Sequence, residues 1–196
     1  MNQPSSQVIG LLLAGGEGTR MGGRDKGMVH WQGKPMAARV YDALRAVTPQ
    51  VIISANRSLP DYERLAPDHV LQDPPELQHQ GPLVGLLTGL RAATQQGAAA
   101  VLVCPCDTPE ITPAILTALL DAWQTQPEHP VIAECDGRLH PLHGVYPVSL
   151  IAPLSAWLAA DNRRVMAFAT SAAAISVACP DAGAALRNRN RPEDLI

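Results

Sequence analysis

The stretch Val8-Ile9-Gly10-Leu11-Leu12-Leu13-Ala14-Gly15-Gly16-Glu17-Gly18-Thr19-Arg20-Met21-Gly22-Gly23-Arg24-Asp25-Lys26 decides the fold. Its first seven residues form a continuous apolar run, which predicts a strand buried on both faces. Five glycines follow, interleaved with Arg20 and Arg24 and ending at Lys26. Glycine has no Cβ and tolerates positive φ, so backbone N–H groups in such a loop can approach an anion closely. The cations add mobile positive charge, and the whole reads as a phosphate-handling device. It matches neither common nucleotide fingerprint. Gly16-Glu17-Gly18-Thr19-Arg20-Met21 lacks the third glycine of the dinucleotide motif, and Gly27, not Ser or Thr, follows Lys26. A plain flexible turn is the bland alternative; the coincidence of strand, loop and cations argues against it.

Outward from this stretch, apolar runs and helical patterns alternate. Met36, Val40, Leu44 and Val47 recur at helical spacing after Pro35, and Val51-Ile52-Ile53 predicts a second strand. His69-Val70-Leu71 predicts a third. Pro82 opens a helix at a position where its missing N–H is harmless; its stripe is Leu83, Leu86, Leu87, Leu90 and Ala93, and Gly97 ends it. Ala98–Cys104 predicts a further buried strand, and Pro113 starts a helix carrying Leu116, Leu119, Leu120 and Trp123. Strands are expected at 131–133, 144–146 and 175–178, with helices at 149–160 and 163–171. Continuous rather than alternating apolar strands predict an α/β fold: a three-layer, Rossmann-like sandwich around a mostly parallel sheet. No internal repeat or linker interrupts 1–196, so one domain is expected.

In open parallel sheets ligands gather at the carboxyl ends of strands. There the sequence places the glycine loop, Ser54-Ala55-Asn56-Arg57, Asp73, and Pro105-Cys106-Asp107. An acid just past a buried strand suits Mg²⁺, which takes one or two carboxylates plus phosphate oxygens. The alternative for Asp107 is an Asx turn or a cap for the helix after Pro113.

Cys104 and Cys106 are expected to be structural, because CxC is a poor metal spacing. His140, His143 and Cys135 suggest zinc only until a fourth ligand is sought. Arg163-Arg164 is either a solvated pair or a binder of phosphate or planar polar groups. Asn188-Arg189-Asn190, before Pro192, is either a turn with a cap or part of a site.

Bulk properties narrow the class. The formal charge of −3 offers no basic surplus for nucleic-acid backbones. Met1 to Gln7 is polar and uncharged, unlike a secretory leader, and the apolar run after it is far short of the ~20 residues that span a bilayer. Four cysteines without zinc spacing fit reduced thiols and a cytoplasmic location.

These residues together resemble the nucleotidyltransferases of the nucleotide-diphospho-sugar transferase type. LLLAGGEGTRMGGRDKG is similar to the signature LAGGxSxRMGxxK, and CPCDTP at 104–109 to the metal-binding segment. GPLVG at 81–85, DGRLHP at 136–141, RRVMAF at 163–168 and NRNRPEDL at 188–195 point within that group to the molybdenum cofactor guanylyltransferases. The resemblance implies transfer of GMP from GTP to the terminal phosphate of molybdopterin, or of its molybdenum-loaded form, with Mg²⁺, releasing pyrophosphate. It implies that the part up to about residue 110 binds GTP and the remainder molybdopterin. The amides at 15–18, including Gly15 and Gly16, with Arg20 and Lys26, would cradle the β- and γ-phosphates. Leu13, Ala14 and Gly15 would touch the nucleoside, Asp73 would read guanine or ribose, and Gly81, Pro82 and Leu83 would wall the base. Asp107 would meet GTP and the metal. Arg163, Arg164, Asn188 and Asn190 would face the pterin, with His140 beside them.

The resemblance further implies, as partners, a GTP-binding accessory protein and molybdoenzyme chaperones. Departures exist: Ser54 stands where the family often has a guanine-contacting asparagine, and Arg189 and Arg191 replace small or neutral residues. The rivals are a cytidylyltransferase, which favours LAAG over LAGG, a sugar-phosphate nucleotidyltransferase, and a non-catalytic GTP-binding regulator or carrier. A regulator or carrier would not need Asp107.

Overall fold

The structure is a computed structural model that describes residues 7–14, 25–190 and 194. Gly15, Gly16 and Arg20, and with them the expected phosphate loop, lie outside the described residues.

The apolar run forms β1 (Val8–Leu13), every residue of it buried. After a 3₁₀ turn (Lys26–Met28), β2 (His30–Trp31) and β3 (Lys34–Pro35) make a small hairpin that leads into α1 (Met36–Arg45). The chain continues through β4 (Val51–Ser54), α2 (Leu59–Leu65), β5 (Val70–Leu71), α3 (Pro82–Gln95), β6 (Ala100–Pro105) and α4 (Pro113–Thr125). It ends with β7 (Val131–Cys135), β8 (Arg138–Pro147), α5 (Ile151–Ala159), α6 (Val165–Ser171) and β9 (Ile175–Ala178).

Seven strands make one sheet in the order β5-β4-β1-β6-β8-β7-β9. β5, β4, β1 and β6 are mutually parallel. β8 runs against both β6 and β7, and β7 pairs in parallel with β9. The expected mostly parallel sheet is therefore present, with β8 as its reversed member.

The period of two in β1 divides its side chains between two cores. Leu12 points with Val40, Leu44, Tyr62, Leu116 and Trp123 toward the layer of α1, α2 and α4. Leu11 and Leu13 point with Leu83, Leu86, Leu90, Leu154 and Phe168 toward α3, α5 and α6. α4 begins as its sequence dictates: Pro113 occupies the first turn, and Thr112 Oγ1 accepts from the Ile115 amide (3.4 Å). α3 follows Gly81, whose φ of +98° only glycine adopts freely.

Three features differ from the sequence expectation. The β2–β3 hairpin and α2 were not expected, because their apolar patterns are too short to show a period. β8 spans Arg138–Pro147 rather than 144–146, and a register shift at Ile132/Ala133 lets β7 follow its polar first half.

β8 also carries a buried polar contact that reaches the β6–α4 loop. His143 is buried, with Nε2 2.9 Å from Thr108 Oγ1, and its ring meets His140 edge-on at 5.9 Å between centroids. Burial, and secondarily the neighbouring His140, push the His143 imidazole down to about 3. The unfolded chain takes up this proton near pH 6.5, and the folded chain does not until about 3. Stability from this group is therefore complete above pH 6.5 and declines as pH falls toward 3, with a slope of at most ~1.4 kcal/mol per pH unit. His143→Gln should flatten acid destabilisation in that window, as read by urea unfolding at several pH values; an unchanged slope would remove His143 as its source.

Packing generates a second expectation. A Cβ on Gly144 would stand 2.2 Å from the Val131 carbonyl oxygen, which is backbone and cannot step aside. Gly144→Ala should lower the unfolding free energy by ~3 kcal/mol. A loss below about 0.5 kcal/mol in urea would show that the β7–β8 pair accommodates the methyl group.

Candidate active site

Sheet register brings the strand ends level. Leu13 stands opposite both Ser54 of β4 and Pro105 of β6. Beyond those pairs the Ala14 amide donates to the Ser54 carbonyl (2.8 Å) and the Cys106 amide to the Leu13 carbonyl (2.9 Å). The chain leaving β1 and the chain leaving β6 therefore start side by side, and their charged residues meet.

Lys26 Nζ donates to Asp107 Oδ2 at 2.8 Å and to Asn190 Oδ1 at 2.5 Å. This joins the residues after β1, the residue after β6 and the C-terminal segment. Asp107 is buried, and among the described residues its Oδ1 has no hydrogen-bond partner. A buried carboxylate oxygen without a partner costs free energy unless a donor or a cation fills the position. Asp107 does not cap α4, since Thr112 holds that place.

Asp25, which the sequence reading passed over, fixes the base of Lys26. It is buried, and its Oδ1 accepts from the Gly27 amide (3.0 Å) and from Tyr62 OH (2.8 Å). Arg57 Nε lies 3.9 Å from Asp25 Oδ2. Gly27 has no room for a side chain, because a Cβ there would fall 2.2 Å from Tyr62 OH. Burial raises the Tyr62 hydroxyl far above its ordinary range, so it stays a neutral donor. An acid wedged between Arg24 and Lys26 was the available signal for Asp25; nothing in the sequence marked Tyr62.

Asp73 is buried at the far side of the same edge. Asn56 Nδ2 donates to its Oδ2 (2.8 Å), Thr88 Oγ1 to its Oδ1 (3.0 Å), and the Asp73 amide donates to Asn56 Oδ1 (2.9 Å). Its carboxylate thus ties the β4 and β5 loops to α3. Ser54 is buried beneath α3, where a Cβ on Gly85 would meet its Oγ at 2.7 Å. Gly81 is exposed, with nothing within 4 Å of the position a Cβ would take, so the start of α3 leaves open space.

The expected pterin group divides. Asn190 joins Lys26, whereas Asn188 is exposed. Arg163 donates to Gln80 Oε1 (2.6 Å) and to the Leu158 carbonyl (2.8 Å), which places it beside Gly81. Arg164 is exposed just before α6, and His140 lies behind the site against His143.

All four cysteines are free and buried, and burial raises the thiols of Cys104 and Cys106 well above their ordinary range, so both keep their protons. Among the described residues no group of three His, Cys, Asp or Glu side chains is placed to hold a metal. The imagined zinc site at Cys135, His140 and His143 is therefore not formed. A cation at Asp107 would need its other ligands from substrate and water, which is how Mg²⁺ is commonly held. Also among the described residues, no helix is long and apolar enough to cross a membrane.

The family described as the MobA-like NTP transferase domain matches residues 10–175. A molybdenum cofactor guanylyltransferase of Cereibacter sphaeroides is 40% identical over 189 residues, covering 96% of this chain and 94% of the relative. One from Pseudomonas aeruginosa is 39% identical over 187 residues, covering 94% and 91%. The crystal structure of molybdopterin-guanine dinucleotide biosynthesis protein A from Archaeoglobus fulgidus superposes with a TM-score of 0.74 at 21% identity, covering 96% of this chain and 95% of that one. The fold that brings these strand ends together is accordingly that of an enzyme family: the chain belongs to the MobA-like NTP transferases, among the molybdenum cofactor guanylyltransferases.

Proposed function

We propose that this protein transfers GMP from GTP to the terminal phosphate of molybdopterin, releasing pyrophosphate and forming the guanine dinucleotide cofactor. The observation that carries the reading is the Lys26–Asp107 pair at the ends of β1 and β6, with Asp107 Oδ1 buried and unpartnered among the described residues. The part up to about residue 110 takes the nucleotide and the remainder the pterin, in the cytoplasm.

Lys26 faces the β- and γ-phosphates, aided by Arg20 and the amides of Gly15 and Gly16. Leu13 and Ala14 lie under the nucleoside. Ser54, Asp73 and Gly81 bound the base side, with Asp73 acting through the polar groups it orders. Asp107, through the Oδ1 left unpartnered among the described residues, would hold Mg²⁺. When bound, the ion supplies charge neutralisation at the α-phosphate and the departing pyrophosphate. Asn190, Asn188, Arg163 and Arg164 receive the pterin phosphate and ring.

The acceptor phosphate is already ionised at neutral pH, so catalysis is mainly positioning and charge stabilisation. That agrees with the neighbouring titratable groups. His143 is neutral and bonded to Thr108, and Tyr62 and Cys106 keep their protons. None is offered to the acceptor as a base.

Purified protein supplied with Mg²⁺, molybdopterin and labelled GTP, CTP or ATP should release pyrophosphate with GTP alone. Preference for CTP would replace the assignment with a cytidylyltransferase, and tight GTP binding without turnover would favour a regulator. Asp107→Asn should lower kcat/KM by about a thousandfold or more with an unchanged circular dichroism spectrum. Near-normal turnover of that variant would remove the role given to Asp107.

A further inference from the structure

Arg189 stands where the family ending resembled above carries a small or neutral residue, and its surroundings are built for an arginine. Its amide donates to the Asp107 carbonyl at 2.8 Å. Its guanidinium pairs with Glu110, three residues beyond Asp107, and lies 5.6 Å from the centroid of the Trp31 ring. Trp31 is buried on β2, in the hairpin that continues from Lys26, and carries Arg39 over the same ring at 4.8 Å. Arg39 Nε also donates to the Trp31 carbonyl (3.2 Å). The next residue of the C-terminal segment, Asn190, accepts from Lys26 Nζ, and its own amide donates to Asp194 Oδ2 (2.8 Å).

Arg189 therefore ties its own strap, 188–190, to two separate segments: the hairpin that follows Lys26 and the loop that carries Asp107 and Glu110. A planar guanidinium can pair with a carboxylate at its edge while presenting its face to an indole, which an ammonium group cannot do. We infer that Arg189 is a positioning residue for the transfer: clamped by Glu110 and Trp31, it holds the strap so that Asn190 sets the Lys26 ammonium against Asp107. The inference rests on the reading of Lys26 and Asp107 as the nucleotide-handling pair. Its consequence is specific. Loosening the strap leaves the GTP pocket in place but blurs the position of Lys26, and such misplacement acts on the transition state more than on ground-state binding.

The test uses the full chain with GTP, Mg²⁺ and molybdopterin. Arg189→Met keeps the stem and removes the charge. It should lower kcat about tenfold or more while the Kd for GTP, read by titration calorimetry, stays within about threefold. Glu110→Gln should reproduce that loss, and the double variant should lose no more than either alone, because both break one pairing. Should Arg189→Met fold poorly, Glu110→Gln with Arg189→Lys carries the same comparison: Lys keeps the pairing but not the stacking, so it should retain more turnover than Glu110→Gln. A kcat within about twofold of the unaltered protein, or additive losses in the double variant, would overturn the clamp. Lys26→Met serves as the control: if it turns over normally, the reading of the site itself fails, whereas an inactive Lys26→Met beside a fully active Arg189→Met rejects the clamp alone.

Discussion

The structure depends on β1 being bonded on both sides at once. All six of its residues pair with β6 on one side, Gly10–Leu13 pair with β4 on the other, and both faces are covered by helices. With no exposed face, the strand has to be apolar throughout, and its neighbours must come close. Gly89 of α3 is the measure of that closeness, since a Cβ there would sit 2.4 Å from Leu11 Cδ2. Gly10 does the same on the other face, where a Cβ would stand 3.3 Å from Leu44 Cβ of α1. Helices pressed this closely onto one strand hold its two neighbours in register, and register is what sets the strand ends level.

From that levelling the chemistry follows. Lys26 and Asp107 are 81 residues apart in sequence and 2.8 Å apart in space: Asp107 stands just past β6, level with the end of β1, and the Asp25-anchored turn that opens with Lys26 packs against it. The reversed strand β8 contributes from behind. His143 reaches the residue next to Asp107 through Thr108, and Thr108 Oγ1 also lies 3.2 Å from the Pro105 carbonyl. A buried neutral histidine can serve this way because it brings hydrogen-bonding capacity without a charge to desolvate.

The sequence carried the sheet because its central strands are long apolar runs bounded by Gly, Pro and Asp, a pattern with little competition. It also marked Asp107, just past such a run, and Lys26, at the end of the glycine-rich stretch that follows the first one. What it hid has a common cause. Asp25, Tyr62, Trp31 and Glu110 have roles made only by contacts between distant segments, and no local period announces them. α2 is seven residues long and buries a single one, Tyr62, so its apolar pattern has no repeat to recognise. Asp73 shows the opposite case. Its place at the end of β5 was legible, but that both carboxylate oxygens are engaged by Asn56 and Thr88 was not. Arg163 and Arg164 illustrate the same limit, for adjacency in sequence put them together and the fold directs only Arg163 toward Gln80.

The Lys26–Asp107 pair also bears on how such a site stays folded before substrate arrives. A lysine and an aspartate at neighbouring strand ends would each be costly to desolvate alone. Held against each other, with Asn190 sharing the lysine, they are mutually neutralised. The contact need not be strong to do this: a partly exposed ion pair is worth about 1 kcal/mol or less. On the proposed reading, a triphosphate would offer Lys26 a larger negative charge and a metal ion would offer Asp107 a positive one. Exchange of partners would then keep both side chains compensated, and a weak pair would present little barrier to its own replacement. The same reasoning explains why the strap matters. If Asn190 and Asp107 were free to follow Lys26 wherever it moved, the exchange would scatter the ammonium over several positions. Anchored by the Asp107 main chain and by Glu110, the strap would not follow, and the lysine could change its partner without losing its place.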